Sequence, residues 1–391
     1  MGNQAGKPEA AKADVKSAPK SSRDVYFVNP VVDIMIAGGG LSIIFFVFVV
    51  LLGYGPWGQK GGERPDTGAW IAYYLAFVVN YPHFAATSFR LYQSYDRMMQ
   101  FPKTSFLSPV VVVAGLCWAM VDPQFAQWYA KLFITWSSYH FCAQTKGIAL
   151  LYSRRLGVEV DKLTRWLIVI SAHTPFLYGT IGSETFESKF YSVPLIPWTT
   201  LLGFKLSPEA AVNVSHLATG LFWIGCAAFA LLVIRILILQ NKVPIAALVP
   251  IVAQTLWFGP QGSHSAAFNE FVPFFHSFQY MLIAWIFQLK EESSGGNFLP
   301  AIQTVFWETA KWFILIIAGG VLLFEIWPRG LSWRGYNLQH SLACVNAAIQ
   351  IHHFFVDGVI WKIRDPRTRS NLAGNIFDLA GSPREALGAL A

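Results

Sequence analysis

Apolar residues run along this chain in long blocks of helical length and do not alternate with polar ones. Ten such blocks lie at roughly 30–54, 69–92, 107–122, 127–152, 165–182, 212–238, 243–260, 266–289, 302–327 and 337–362. Each is close to the ~20 residues that cross a ~30 Å hydrocarbon core, those at 107–122 and 243–260 being the shortest. Within lipid a backbone must satisfy its polar groups internally, as a helix or a closed barrel. No segment shows the ~10-residue alternation of a lipid-facing strand. The pattern therefore predicts an all-α, polytopic integral membrane helical bundle with about ten transmembrane helices. Residues 1–25, rich in Lys, Ala, Ser and Pro, are expected to form a disordered tail, 26–364 the transmembrane domain, and 365–391 a C-terminal tail.

Charge orients this body. Arg97, Lys103, Arg154, Arg155, Lys162, Arg165, Arg235, Lys242, Lys290, Lys362, Arg364, Arg367 and Arg369 fall on one side with the N-terminal tail, while the opposite loops hold few basic residues. The positive-inside bias then places both termini in the cytoplasm and the chain in the cell (inner or plasma) membrane as a multi-pass protein. The longest outer loop, 183–211, carries Pro194, Pro197, Trp198 and Phe204 and is expected at the membrane interface.

Composition agrees. Charged residues make up 13% of the chain, against roughly 25% in soluble domains, and AVILMFWYC make up 54%. A water-soluble enzyme is excluded. The net charge of +7 does not point to nucleic acid, because no basic run interleaved with aromatics lies outside the apolar blocks. Cys117, Cys142, Cys226 and Cys344 show no CxxC spacing, so neither a disulfide framework nor a thiolate zinc site is indicated. The expected partners are membrane lipids, a hydrophobic small-molecule substrate and another membrane protein.

Histidine changes the picture. Of nine His, six lie at mid-depth in five of the apolar blocks: His83, His140, His173, His276 and the adjacent His352 and His353. Ionisable groups in a bilayer are costly and face the bundle interior or a functional site. At ~1.5 Å per residue, His83, His173 and His353 lie about 10, 12 and 14 Å from basic residues at their helix ends, and His140 and His276 about 21 Å, so all can reach one slab of the membrane. Polar partners share their helical faces: Asn80, Thr87 and Arg90 with His83, Gln144 with His140, Gln279 with His276, and Asn346, Gln350 and Asp357 with His353. Amides one turn from a His are placed to fix its tautomer, and Asp357 is the candidate catalytic carboxylate.

Imidazole-rich, thiolate-free sites suit iron, copper or zinc over magnesium or calcium. The helical di-iron pattern needs Glu and Glu-x-x-His, which the chain lacks. Two stacked haems are disfavoured because His pairs twelve residues apart diverge by about 120°, although one haem b on two axial His remains an alternative. The segment Phe275-His276-Ser277-Phe278-Gln279-Tyr280 resembles a His-containing helix of the bacterial carotene-cleaving membrane dioxygenases, lacking that helix's second His. The resemblance implies an iron site assembled from His on several helices. The His boxes of desaturases and alkane hydroxylases are absent.

The reading is an integral membrane, metal-dependent oxidoreductase of the non-haem iron oxygenase or desaturase type, acting on a lipid-soluble substrate. The rivals are a proton-coupled transporter or channel relaying protons through His, Lys146, Glu308 and Asp357, with Gly38-Gly39-Gly40 and the Pro-interrupted helices as its broken segments, and a haem- or pigment-associated structural or assembly subunit.

Overall fold

The computed structural model describes residues 25–55, 66–182, 188–294, 301–362 and 365–379. The expected N-terminal tail, apart from Val25, and residues 380–391 lie outside the described residues. The described chain is almost entirely helical, its one sheet a two-stranded hairpin.

The first apolar block is broken in two. Asn29 caps its start by accepting from Val32 N–H (2.9 Å), with Pro30 at the first helical position. Helix α1 (Pro30–Ala37) then meets α2 (Gly40–Leu51) at a 58° bend. Gly39 makes the bend with φ +78°, and a Cβ there would strike the Gln279 amide and crowd Ala253. Periodicity runs straight through the three glycines, so the expected single span at 30–54 is two differently directed pieces.

Helix α3 (Asp66–Leu75) passes through a π-helical turn (Ala76–Asn80) into α4 (Tyr81–Tyr92), and α5 (Tyr95–Gln100) follows. Helices α6 (Lys103–Val121) and α7 (Pro123–Arg155) are joined at Asp122, whose carboxylate caps α7 through the N–H groups of Gln124 and Phe125. Helix α8 (Lys162–Gly182) leads to the hairpin of β1 (Ser188–Phe190) and β2 (Val193–Leu195), then α9 (Trp198–Leu201). This part of the expected interfacial loop packs on α7: Val193 is buried beside Phe133, and Trp198 Nε1 donates to Thr135 Oγ1 (3.0 Å). The remaining helices are α10 (Pro208–Gln240), α11 (Ile245–Phe258), α12 (Pro260–Ser263), α13 (Phe268–Ser294), α14 (Ile302–Trp333), α15 (Leu338–Ile360) and α16 (Pro366–Asn371).

Among the described residues, four helices are long and apolar enough to cross a membrane, α6, α10, α14 and α15, and a fifth if the bent α1–α2 pair counts as one span. The other expected spans are helices too, but α11 has only 14 residues, and α7 interrupts its 33 with Lys131, Gln144 and Lys146. Helix α15 runs through the middle, packed on α4, α6 and α7, while α13 lies against α1, α4 and the π turn.

The ends of the described chain meet. Ile376 N–H donates to Phe27 O (2.8 Å), Asn375 Nδ2 to Tyr26 O and Val28 O, and the Arg155 guanidinium reaches Val25 O, Leu372 O and Gly374 O. Residues 365–379 of the expected C-terminal tail are thus folded onto the helix ends, with Leu372 and Ile376 buried against Phe287 and Leu289.

Candidate metal centre

Four helices each bring one imidazole to the same point. His83 stands in the first turn of α4, His140 midway along α7, His276 on α13 and His353 on α15, and all four are buried. One ring nitrogen of each lies within 4.8 Å of the others. His353 Nε2 is 3.1 Å from His83 Nε2 and 3.2 Å from His140 Nε2. Aromatic rings fix these orientations: Tyr280 sits edge-on to His83 (centroids 4.2 Å), Phe141 against His276 (4.4 Å), Phe84 against His353 (4.8 Å) and Phe354 against His140 (4.9 Å).

Protons alone do not satisfy this arrangement. A neutral imidazole nitrogen either donates or accepts, and three Nε2 atoms meet around His353 while the buried His276 Nε2 has no partner. The Nδ1 atoms of His83 and His353 are also buried without partners. Four lone pairs turned on one cation would resolve the crowding. Ligands at ~2.0 to 2.1 Å in a tetrahedron stand about 3.3 Å apart, close to the separations found around His353. The donor set, all nitrogen and without thiolate, suits a first-row transition metal.

Two of the six expected His ligands lie elsewhere. His173, half-buried, bonds through Nδ1 to Val169 O one turn back (2.9 Å) and packs on Tyr139. His352 bonds through Nε2 to the Tyr92 hydroxyl (2.9 Å) and stacks on that ring. Asp357 borders the cluster: Oδ2 is 3.7 Å from His140 Nε2, while Oδ1 accepts from Trp361 Nε1 (2.9 Å). Its sequence position, one turn from His353, lets it accept from that ring or bind a metal directly; the bundle sets its Oδ2 beside the His140 ring of α7.

The five expected amides orient no imidazole among the described hydrogen bonds. Gln144 Nε2 donates to the His276 backbone carbonyl (2.9 Å) and to Gln279 Oε1 (3.4 Å), so it ties α7 to α13. Gln350 Nε2 donates to Asn346 Oδ1 (2.5 Å), and Asn80 Oδ1 is buried without a partner. Further residues take part in the surroundings. The Tyr280 and Thr87 hydroxyls share a hydrogen bond (2.6 Å), and Arg90 is held between the faces of Phe287 (3.5 Å) and Trp361 (3.9 Å). Thr87 and Arg90 lie on the polar stripe that the sequence places around His83; Trp361 carries no such signal.

A cavity of about 40 Å³ adjoins His276, lined also by Thr145, Gln254, Trp257, Phe275 and Gln279. No family model, curated protein or solved structure matches the chain.

Proposed function

We propose that this chain is an integral membrane, metal-dependent oxidoreductase of the non-haem iron oxygenase or desaturase type, acting on a lipid-soluble substrate. The observation that carries the reading is the convergence of four buried imidazoles from four helices on one point, His83, His140, His276 and His353. When bound, iron supplies a redox-active centre with positions left for oxygen. Copper or zinc would accept the same donors. Haem b fits less well, since a macrocycle between two axial ligands has no place among four nitrogens within 4.8 Å of one another.

The protein's own groups suit the task. The aromatic wall excludes water, and Asp357, beside His140, can hold or move a proton at its Oδ2. The exposed apolar faces of α6, α10 and α14 support substrate delivery from the bilayer. The meeting of the two ends of the described chain supports an even number of crossings; about ten spans with both termini cytoplasmic in a cell membrane is the reading that the bias of Lys and Arg favours. The break between α1 and α2 favours a second reading, since transporters use interrupted helices.

Metal analysis of the detergent-purified protein, grown with trace iron, copper and zinc, decides between them. About one equivalent of iron, with dioxygen uptake that depends on added membrane lipid extract, is the expected result. Stoichiometric zinc without oxygen uptake would remove the oxidoreductase, and absence of any metal would remove the site and leave transport.

A further inference from the structure

A row of aromatic rings leads from the protein surface to the imidazole cluster. Along α3, the π turn and α4 it begins at the exposed Trp70 and continues as Trp70–Tyr73 (centroids 6.0 Å), Tyr73–Phe77 (5.0 Å) and Phe77–Tyr81 (5.1 Å). Steps of three and four residues keep these rings on one face. Tyr81 then stacks flat on Phe324 of α14 (4.6 Å, interplanar angle 3°), Phe324 packs on Phe84 (5.1 Å), and Phe84 packs on His353 (4.8 Å). The row has no gap.

Tyr81 also has an acceptor for its proton. Its hydroxyl donates to Glu325 Oε1 (2.9 Å), a buried carboxylate paired with Arg329. Both partners stand at π turns, Ala76–Asn80 before Tyr81 and Leu322–Ile326 around Glu325, and such turns gather at functional sites. Helix α14 comes this close because Gly320 lies against the Tyr81 backbone, where a Cβ would collide. Tyr152 likewise donates to a carboxylate, Asp33 Oδ2 (2.8 Å), but Asp33 is already tied to the Phe27 and Val28 N–H groups and serves as a clasp.

A phenol that loses an electron becomes a strong acid, so a carboxylate bonded to it beforehand lets the oxidation proceed and reverse. We propose that Tyr81 is a redox-active residue that relays single electrons between the surface at Trp70 and the four-imidazole centre. One electron leaves Tyr81 through Phe324 and Phe84 for an oxidised metal ion at the centre, which is reduced by one, while the O–H proton moves to Glu325 Oε1. Tyr81 is left as a neutral phenoxyl radical. A one-electron reductant at the surface then returns an electron through Trp70, Tyr73 and Phe77, and the proton goes back from Glu325. The inner half of the relay rests on the metal reading; the Tyr81–Glu325 pair and the outer half do not.

The test uses the full chain in detergent, metal-free and zinc-loaded, flash-oxidised by aqueous ruthenium tris-bipyridine with a cobalt(III) quencher. Transient absorption and freeze-quench EPR should show a long-lived neutral tyrosyl radical in both forms. Tyr81→Phe should lose that signal with unchanged helical content, and Phe77→Leu should slow its appearance. Glu325→Gln, which keeps an acceptor but no base, should lose it as well, whereas Tyr95→Phe, which removes an exposed phenol outside the row, should retain it. An equal long-lived signal in Tyr81→Phe would overturn the relay, as would wild-type kinetics in Phe77→Leu. Iron-loaded protein given dioxygen should raise the same signal, and dioxygen uptake without it would overturn the inner half. Metal content is measured on the same samples: a radical in a chain that binds no metal would keep the outer relay and sink the metal reading, and metal without the radical would do the reverse.

Discussion

Helices α15 and α10 are both long and apolar enough to cross a membrane, yet they do opposite work. Helix α15 is the least apolar of the four such helices and the most enclosed, with 61% of its apolar 18-residue stretch buried; α10 is the most apolar, with 28% of its stretch buried. In a water-soluble protein apolarity would mark the inside. Here the order is reversed, because lipid is as apolar as any core and gives no reason to hide leucine. What must be hidden is polarity, so Gln350, His353 and Asp357 drive α15 to the centre. Helix α10 instead packs on α8 and leaves Leu217, Trp223, Leu231 and Ile238 exposed.

The largest expected difference between the two regions is in metal content. His353 is the imidazole whose Nε2 stands closest to two others, so His353→Ala removes the ligand that joins them. The variant should lose essentially all bound metal while retaining its detergent-solubilised helical content. His173→Ala, on α8 beside α10, should keep the wild-type stoichiometry, since that ring bonds its own helix. Equal metal in wild type and His353→Ala would mean that the polar stripe of α15 is packing alone.

The sequence made the central half of this contrast legible and blurred the rest. Polar stripes are read from spacing, so the interior faces of α4, α7, α13 and α15 and the convergence of His83, His140, His276 and His353 were accessible before any fold was known. Which imidazoles leave the cluster was not. His173 satisfies itself on Val169 O, a bond available to any helical His, and His352 turns with its ~100° offset toward Tyr92, a partner distant in sequence. The amides failed for a similar reason. Gln144 is on the right face but donates to the His276 backbone carbonyl and to Gln279 Oε1 on the facing helix, not to the His140 ring. The α1–α2 bend was legible only as the run Gly38-Gly39-Gly40, because hydropathy does not register a left-handed glycine.

A middling effect is expected from the packing of α8 on α10. Gly225 lets the two backbones approach so closely that a Cβ there would collide with the side chain of Thr174. Gly225→Leu forces them apart, and overpacking of this kind costs about 1 to 3 kcal/mol. Tm should fall while metal content per folded molecule stays at the wild-type level. If metal were lost in step with Tm, the peripheral pair and the four-helix site would be one cooperative unit, and the contrast between the regions would be one of burial only.

The smallest effect distinguishes the regions by pH. The α8–α10 pair is tied at one end by an ion pair open to solvent: Asp161 Oδ2 accepts from Arg235 Nη2 (2.6 Å), Asp161 Oδ1 accepts from Thr164 N–H (2.8 Å), and Arg235 Nε donates to Thr164 Oγ1 (3.2 Å). The Thr164 hydroxyl and N–H, followed by the Arg235 guanidinium, hold the Asp161 carboxyl below its usual range. A carboxyl whose pKa is lower folded than unfolded favours the folded chain wherever it is ionised in both states. That contribution is therefore complete above the unfolded value of about 3.9 and is lost as pH falls through the folded one. Being exposed, the pair is worth little and is screened by salt. Asp161→Asn should lower Tm slightly and by the same amount at pH 7 and pH 5, with the gap closing below about pH 4. Metal content of this variant should match the wild type at pH 7 and pH 5. A gap that widened in acid would show that Asp161 is held by something other than these donors, and a change in metal content would show that the outer pair communicates with the imidazole cluster.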